Sequence, residues 1–183
     1  MKKALYLVFC LYVFLSVSAC SMDNTIKKDV SSSLDAIKSG NSDEGYIYNV
    51  DLTGNRIQLI GEDALIRKIC SKTTYSISKI EKQGKEKATA TIIIISPDII
   101  QMMGSIMEKN KVEDVNQLLS YLESELDSKF LSKEYSVKLS LLLINEHWFI
   151  VPNSELVNAF SGGVLKHYSI IERQMVEQLM RGE

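Results

Sequence analysis

Two strand-like segments, each turning back on itself, constrain the architecture of this chain more than any other feature. Apolar residues recur at every second position along residues 135–143, and an apolar segment returns at 147–151 after the tight turn Asn145-Glu146. Residues 73–96 are rich in β-branched residues and are interrupted by the turn signal Gln83-Gly84-Lys85. A period of two around short turns predicts two β-hairpins. The four consecutive isoleucines at 92–95 favour a strand that is covered on both faces.

Helical spacing of apolar residues surrounds and separates the hairpins. The stripes run through residues 26–37, 57–69, 99–107, 115–130 and 165–179, with a shorter helix at 155–160. Ser96-Pro97-Asp98 predicts a helix start in which Ser96 supplies the capping hydroxyl and Pro97 is the first helical residue. Because the strands come in adjacent antiparallel pairs, the order favours an α+β fold over a parallel sheet. We predict a four-stranded curved antiparallel sheet of two hairpins, with helices packed on one face and a C-terminal helix at 164–181.

The first twenty residues have the features of an export signal. Lys2 and Lys3 precede an apolar run from Ala4 to Val17, which is shorter than the ~20 residues that cross a bilayer as a helix. The run ends in Val17-Ser18-Ala19-Cys20, which resembles the lipobox of bacterial lipoproteins. That resemblance implies that Cys20 receives a diacylglyceryl group and becomes the first residue after cleavage. The alternatives are a secreted protein that is cleaved near Ala19 and a retained signal anchor.

The lipoprotein interpretation divides the chain into three parts. Residues 1–19 are a cleaved signal peptide, 20–23 are the lipidated cysteine and its tether, and 24–183 are a single domain. Cleavage leaves 164 residues and removes two lysines, which changes the net charge from -2 to -4. Two acyl chains, such as palmitate, hold a protein to a membrane stably without a spanning helix. The sequence thus predicts a protein anchored by lipid on the extracytoplasmic face of the cell membrane.

Little in the composition points to catalysis, metal or nucleic acid. The negative charge argues against a nucleic-acid partner. Metal-ligand and nucleophile motifs are absent, so we expect no metal and no cofactor. Cys70 would be the lone thiol of the mature chain, and we interpret it as a small buried apolar residue. His147 and His167 are the available histidines, and a surface or structural role is favoured for both, with His147 facing solvent if Trp148 faces the core.

A few side chains are candidates for a binding surface rather than for chemistry. The methionines Met103 and Met107 lie in one predicted helix, and Met175 lies in the last one. Tyr46 and Tyr48 lie in a connecting segment, and aromatic residues favour interfaces. For the methionines, ordinary core packing is the competing interpretation.

Several segments together resemble the nuclear transport factor 2-like domains of uncharacterised lipoproteins from low-GC Gram-positive bacteria. They are 34–41 in the first helix, 88–92 in a strand, Ser96-Pro97-Asp98, 148–151 in the late hairpin and 155–163. The resemblance spans roughly residues 24–165, and departs from the family in the long C-terminal helix and in the turn at Asn145-Glu146. It implies a sheet that wraps around the first helix as a cone, and it implies no catalytic residue.

Three functions follow as hypotheses. The first is a membrane-anchored module that binds a small ligand or an envelope protein. The second is a cone-fold enzyme with His147 or an acid such as Asp51 or Glu62 in its pocket. The third is a structural accessory subunit of an envelope complex. Ionisable groups converging in a deep pocket would favour the enzyme, and an apolar pocket, or none, would favour binding.

Overall fold

The computed structural model describes residues 24–39 and 64–167. Its helices are α1 (24–39), α2 (Ala64–Lys72), α3 (Ile99–Lys109), α4 (Val115–Asp127) and α5 (Ser154–Phe160), followed by a helical turn at 164–167. Its strands are β1 (Thr74–Lys82), β2 (Lys87–Pro97), β3 (Ser132–Ile144) and β4 (His147–Val151). The helix predicted around 26–37 and the first turn of the C-terminal helix are both present. The predicted stripe at 57–69 is described only from Ala64 onwards.

The four strands form one antiparallel sheet in the order β1-β2-β3-β4. This confirms the predicted α+β architecture of two hairpins, in which α3 and α4 connect the first hairpin to the second. The β1–β2 register shifts between Ile77 and Lys79, so Ser78 forms a bulge and its hydroxyl donates to the Thr91 carbonyl at 3.0 Å. A bulge bends a strand and increases its twist, which curves this end of the sheet.

The second hairpin closes through a two-residue turn. Asn145 and Glu146 have φ angles of 49° and 69°, so both adopt left-handed conformations. Such a turn matches the right-handed twist of the flanking strands, and asparagine tolerates it better than most residues. The tight turn that the sequence predicts at this position is confirmed.

A core forms between one face of the sheet and helices α1 and α5; we call it the sheet core. Every other residue of β2 and β3 points into it, as the alternation along residues 135–143 predicts. Its buried members include Ile26, Val30, Leu34, Ile37, Cys70, Ile92, Ile94, Val137, Leu139, Leu141, Trp148, Ile150, Leu156 and Phe160. The four apolar positions of α1 are all buried, so Ser31-Ser32-Ser33 is part of a helix and not a linker.

Polar contacts fix α1 to both outer strands of the sheet. The Tyr75 hydroxyl on β1 donates to the Asp35 carboxylate at 2.8 Å and to the Ser31 carbonyl at 3.1 Å. At the other edge, the Trp148 N–H of β4 donates to the Asp29 carboxylate at 2.8 Å. An outward N–H on an edge strand lacks a strand partner, and Asp29 supplies one.

A second core forms among α2, α3 and α4; we call it the helical core. Its buried residues are Ile69, Ile99, Met102, Ile106, Leu122 and Leu126. Helix α2 joins the two cores, because Ile69 belongs to the helical core and its neighbour Cys70 to the sheet core.

Three local predictions were wrong. Asp98, not Ser96, caps α3, because β2 pairs with β3 as far as Pro97 and the helix begins at Ile99. The predicted stripe of α4 is partly outside the core: Val115 is 69% exposed, whereas Leu122 and Leu126 of the same helix are buried in the helical core. On β2, Ile95 is 40% exposed, so the run of isoleucines is not fully covered on its second face.

Candidate functional site

A cavity of about 650 Å³ lies beside the first half of β3. Its walls come from the start of α3, from residues 133–137 of β3, from α5 and from the turn that follows α5. The cavity exists because β3 is thirteen residues long and β4 only five. β4 pairs with residues 140–144, so within residues 24–39 and 64–167 the earlier part of β3 has a strand neighbour only on its β2 side.

Asn153, which follows β4, directs the chain into α5 and away from the first half of β3. The Asn153 side chain accepts from the Leu156 N–H at 2.9 Å and caps α5. Its Nδ2 group donates to the Lys138 carbonyl on β3 at 3.0 Å. One side chain therefore starts the helix and sets where that helix diverges from the strand. Asn153 is thus the N-cap of the short helix that the sequence predicts at 155–160.

Two consecutive glycines follow α5, and the second of them, Gly163, lines the cavity. Gly162 has a φ of 68°, and a Cβ there would lie 2.6 Å from the Pro97 carbonyl oxygen. Gly163 has a φ of 88°, and a Cβ there would lie 2.8 Å from the Tyr135 hydroxyl. The pair thus follows the end of α5 and lets the chain approach β2 and β3 closely.

Tyr135 lies on the floor of the cavity. Its hydroxyl is buried and, like that of nearby Ser96, has no hydrogen-bond partner among the described residues. Burial raises the pKa of Tyr135, and the negative charge of the Asp98 carboxylate adds to the shift. The Lys133 ammonium lies 5.7 Å from the centroid of the ring, within cation–π range. The floor of the cavity is therefore an uncharged aromatic side chain that is closely packed against its neighbours.

Charged side chains of both signs line the walls. The acids are Asp98, Glu134 and Glu155, and the bases are Lys133, Lys166 and His167. Asp98 also accepts from the Gln101 N–H at 3.2 Å, so its carboxylate serves as the cap of α3. Glu134 and Glu155 are exposed, as are the bases. The lining suits a polar ligand with donors and acceptors more than an apolar one.

The two histidines of the chain lie in different places among the described residues. Trp148 faces the core and His147 is 68% exposed, so the two lie on opposite sides of β4, as the sequence predicts for that case. The His147 Nδ1 lies 3.9 Å from the Asp29 carboxylate, which already accepts from the Trp148 N–H. His167 lies at the cavity instead. Asp51 and Glu62 lie outside the described residues.

The other predicted site residues are dispersed. Met103 is partly buried against the helical core, and Met107 is 61% exposed on the same helix, α3. Neither lines the cavity. The proposed lipidation site Cys20, the tyrosines Tyr46 and Tyr48, and Met175 all lie outside the described residues.

Cys70 has the environment of a structural thiol. It is fully buried, and its Sγ lies 3.5 Å from the Phe160 carbonyl oxygen, to which it donates. Burial raises its pKa to about 12. The thiolate is the reactive form, so this cysteine is unsuited to nucleophilic chemistry. This agrees with its interpretation as a small buried residue.

Comparison with known proteins adds no relative. No protein-family model matches the chain, and no curated protein matches it. Within residues 24–39 and 64–167, no group of histidine, cysteine and acidic side chains is arranged to hold a metal ion. In the same ranges, no helix combines the length and apolar character that crossing a bilayer requires.

Sequence reasoning missed the cavity and most of the residues that line it. A signal was present, because the alternating pattern of β3 is about twice as long as the apolar segment that returns after Asn145-Glu146. Such a mismatch leaves half of a strand without a neighbour. The residues that close the space, from Asn153 to Gly163, show their role only when the turn after α5 is placed against Tyr135.

Proposed function

We propose that this protein is an extracytoplasmic lipoprotein, anchored to the cell membrane through Cys20, whose domain binds a ligand in the cavity beside β3. The observation that carries the binding role is the cavity itself, which is lined by charged side chains of both signs and by a stretch of β3 that has no strand partner on this side among the described residues. Its volume of about 650 Å³ lies within the ~300–1,000 Å³ of ordinary ligand sites. The lipobox supports the anchor.

Binding is favoured over catalysis by the state of the ionisable groups. An acid–base pair needs its members within hydrogen-bond distance of each other or of one substrate atom. Among the described residues, no hydrogen bond joins the His167 ring to Glu134 or Glu155, and all three side chains are exposed. Separate, exposed charges of both signs can hydrogen-bond a polar ligand without acting on one atom, so they suit recognition better than proton transfer.

The proposed anchor places the domain close to the bilayer. Three residues separate Cys20 from the start of α1. An extended chain spans at most ~3.6 Å per residue, so this tether reaches little more than one headgroup layer. The domain would therefore meet ligands or envelope proteins at the membrane surface.

Acyl labelling tests the anchor. Cells that express the Cys20→Ala variant should show no incorporation of labelled palmitate into the protein and should release it from the membrane fraction. Cys70→Ala is the matched control, because it removes the other cysteine of the mature chain and should leave labelling intact. Labelling that persists in Cys20→Ala contradicts the lipoprotein assignment.

Filling the cavity tests the binding role. A set of peptides, amines and sugars can be screened by amide chemical shifts on the purified protein, and binders should perturb Asn158 and Gly163 but not Gly84. Glu155→Trp places a large side chain at the cavity wall, and Ser154→Trp places the same side chain on the same helix outside the lining. Binding should be lost only in Glu155→Trp. A screen without cavity perturbations, or binding that survives Glu155→Trp, contradicts the role.

A further inference from the structure

The first half of β3, beyond the reach of β4, exposes a row of main-chain groups that no other described residue pairs with as a strand. Ile144 and His147 flank the two-residue turn, so they form a hydrogen-bonded pair that faces across the β3–β4 hairpin. In an antiparallel strand, alternate residues direct their N–H and C=O groups to the same side. The even-numbered residues of β3 therefore point away from β2, and in the first half these are Glu134, Ser136 and Lys138.

Two observed contacts agree with this assignment. The N–H of Leu143, an odd-numbered residue, donates at 2.9 Å to the Glu86 carbonyl, just before β2. The carbonyl of Lys138, an even-numbered residue, accepts from Asn153 on the side away from β2. Asn153 thus satisfies one acceptor at the point where β4 stops.

The next two even-numbered residues have no such partner. No hydrogen bond from elsewhere in the described chain reaches the main-chain groups of Glu134 or Ser136 on this side. Both residues are exposed, and both line the cavity. Two residues at ~3.3 Å each separate successive outward groups, which is the repeat that an extended peptide matches. Main-chain donors and acceptors at this spacing recognise another strand better than they recognise a small molecule.

The side chains around the row fit the two faces of an added strand. Tyr135 and Val137 lie on the core face of β3, and Glu134 and Ser136 lie on the other. A peptide in antiparallel or parallel pairing alternates its side chains in the same way, so one set would contact Tyr135 and the other Glu134. The charges of both signs at the rim provide partners for polar peptide side chains at either end.

We infer that the cavity binds an extended peptide segment of a partner protein, which adds to the sheet as a strand along Glu134–Ser136. This inference rests on the proposed binding role of the same cavity and names its ligand class. The partner peptide takes the place beside β3 that β4 leaves empty. Affinity comes from main-chain hydrogen bonds, so the preference for particular side chains should be broad.

The test uses the mature lipidated protein in detergent micelles and a phage-displayed library of random dodecapeptides. A selected peptide is then synthesised with single N-methyl groups at successive residues. Methylation of nitrogens that face β3 should weaken binding by about tenfold, because it removes a donor and blocks close approach of the strands. Methylation of the alternate nitrogens is the internal control and should have little effect. An alternating pattern supports strand addition, and equal tolerance at all positions overturns it.

A protein variant gives a second measurement. Ser136→Pro removes a main-chain N–H that faces the cavity. Because this N–H makes no hydrogen bond to β2, the sheet should persist. Peptide binding should fall by about tenfold in this variant, while Trp148 fluorescence shows that the fold is kept. If Ser136→Pro does not fold, the N-methyl series decides the question alone.

Other outcomes separate this inference from the proposed function. If no peptide is selected but a sugar or an amine still perturbs the cavity, strand addition is wrong and the binding role stands. If peptides bind only after residues 168–183 are deleted, the partner assignment is wrong, because the chain's own C-terminal segment occupies the edge. If the protein dimerises through the row and Ser136→Pro abolishes the dimer, the occupant is a second copy and not a partner peptide.

Discussion

At the scale of single residues, burial determines the chemistry of Cys70. Its thiol is fully buried beside the Phe160 carbonyl. We expect native protein to react with a disulfide reagent at pH 8 only as fast as it unfolds, and to react at once in guanidinium chloride. A cysteine introduced at exposed Ser140 is the control and should react rapidly without denaturant. Rapid native labelling of Cys70 would contradict its structural role.

The same burial predicts a pH dependence of stability. The pKa of Cys70 rises from 9.0 to about 12 on folding, because burial disfavours the thiolate. The folded state keeps its proton over this interval and the unfolded state loses it, so Cys70's contribution to the unfolding free energy is complete below pH 9 and falls as pH rises toward 12. Tyr75, whose pKa also rises to about 12, acts in the same direction. The unfolding free energy of Cys70→Ala, measured by urea denaturation, should therefore fall less steeply with pH than that of the unchanged protein. Equal slopes for the two proteins would contradict the assignment.

Asp29 illustrates how one buried acid fixes a helix to a sheet edge. Its carboxylate is 11% exposed and accepts the Trp148 N–H at 2.8 Å. Because hydrogen bonds to charged groups contribute ~1.5–3 kcal/mol, Asp29→Ala should lower the unfolding free energy by about 2 kcal/mol in urea denaturation. The exposed acid Glu108 on α3 is the control, and Glu108→Ala should change stability by less than ~0.5 kcal/mol. Equal effects of the two substitutions would show that the contact contributes nothing.

At the scale of elements, the sequence was most informative where periodicity and turns agree. The alternation along residues 135–143 and the turn Asn145-Glu146 correctly predicted β3, β4 and which side chains of β3 face the core. The start of α3 was predicted wrongly, since Ser96-Pro97-Asp98 contains two capping residues and only the pairing of Pro97 with Ser132 shows which one is used. The cavity could not be predicted in detail, because it depends on where non-local segments end relative to each other.

The turn after α5 offers a sharp test of how that cavity is built. Gly163→Ala should destabilise the protein by more than ~1 kcal/mol, since alanine is strained at this positive φ and its Cβ would clash with the Tyr135 hydroxyl. Gly84→Ala is the matched control, because Gly84 has a φ of 96° but no heavy atom within 4 Å of the added Cβ. Tyr135→Phe removes the unpartnered hydroxyl and should itself be nearly neutral.

The double variant then isolates the contact. If the clash with the hydroxyl is real, Gly163→Ala should cost less in the Tyr135→Phe background than in the unchanged protein. Additive effects in thermal unfolding would mean that the strain is confined to the backbone. In that case Gly163 would not define the position of Tyr135 on the cavity floor.

At the scale of the whole molecule, the two cores raise the question of whether the domain unfolds as one unit. The sheet core contains Trp148, so tryptophan fluorescence reports on it, while amide exchange at Leu122 reports on the helical core. Helix α2 contributes Ile69 to one core and Cys70 to the other. Because Ile69 and Cys70 are adjacent in one short helix, opening of either core would disturb the other. We therefore expect the two cores to unfold together.

A substitution in the helical core decides this. Leu126 is fully buried, so Leu126→Ala should cost ~2–5 kcal/mol. If the domain is cooperative, the variant lowers the urea midpoint reported by Trp148 and accelerates exchange at Leu122 by the same free energy. Val115→Ala on the same helix, where Val115 is 69% exposed, should change neither. A Trp148 midpoint that stays fixed in Leu126→Ala would show that α3 and α4 open on their own, and the cavity wall that begins at Asp98 would then be separable from the β3 floor.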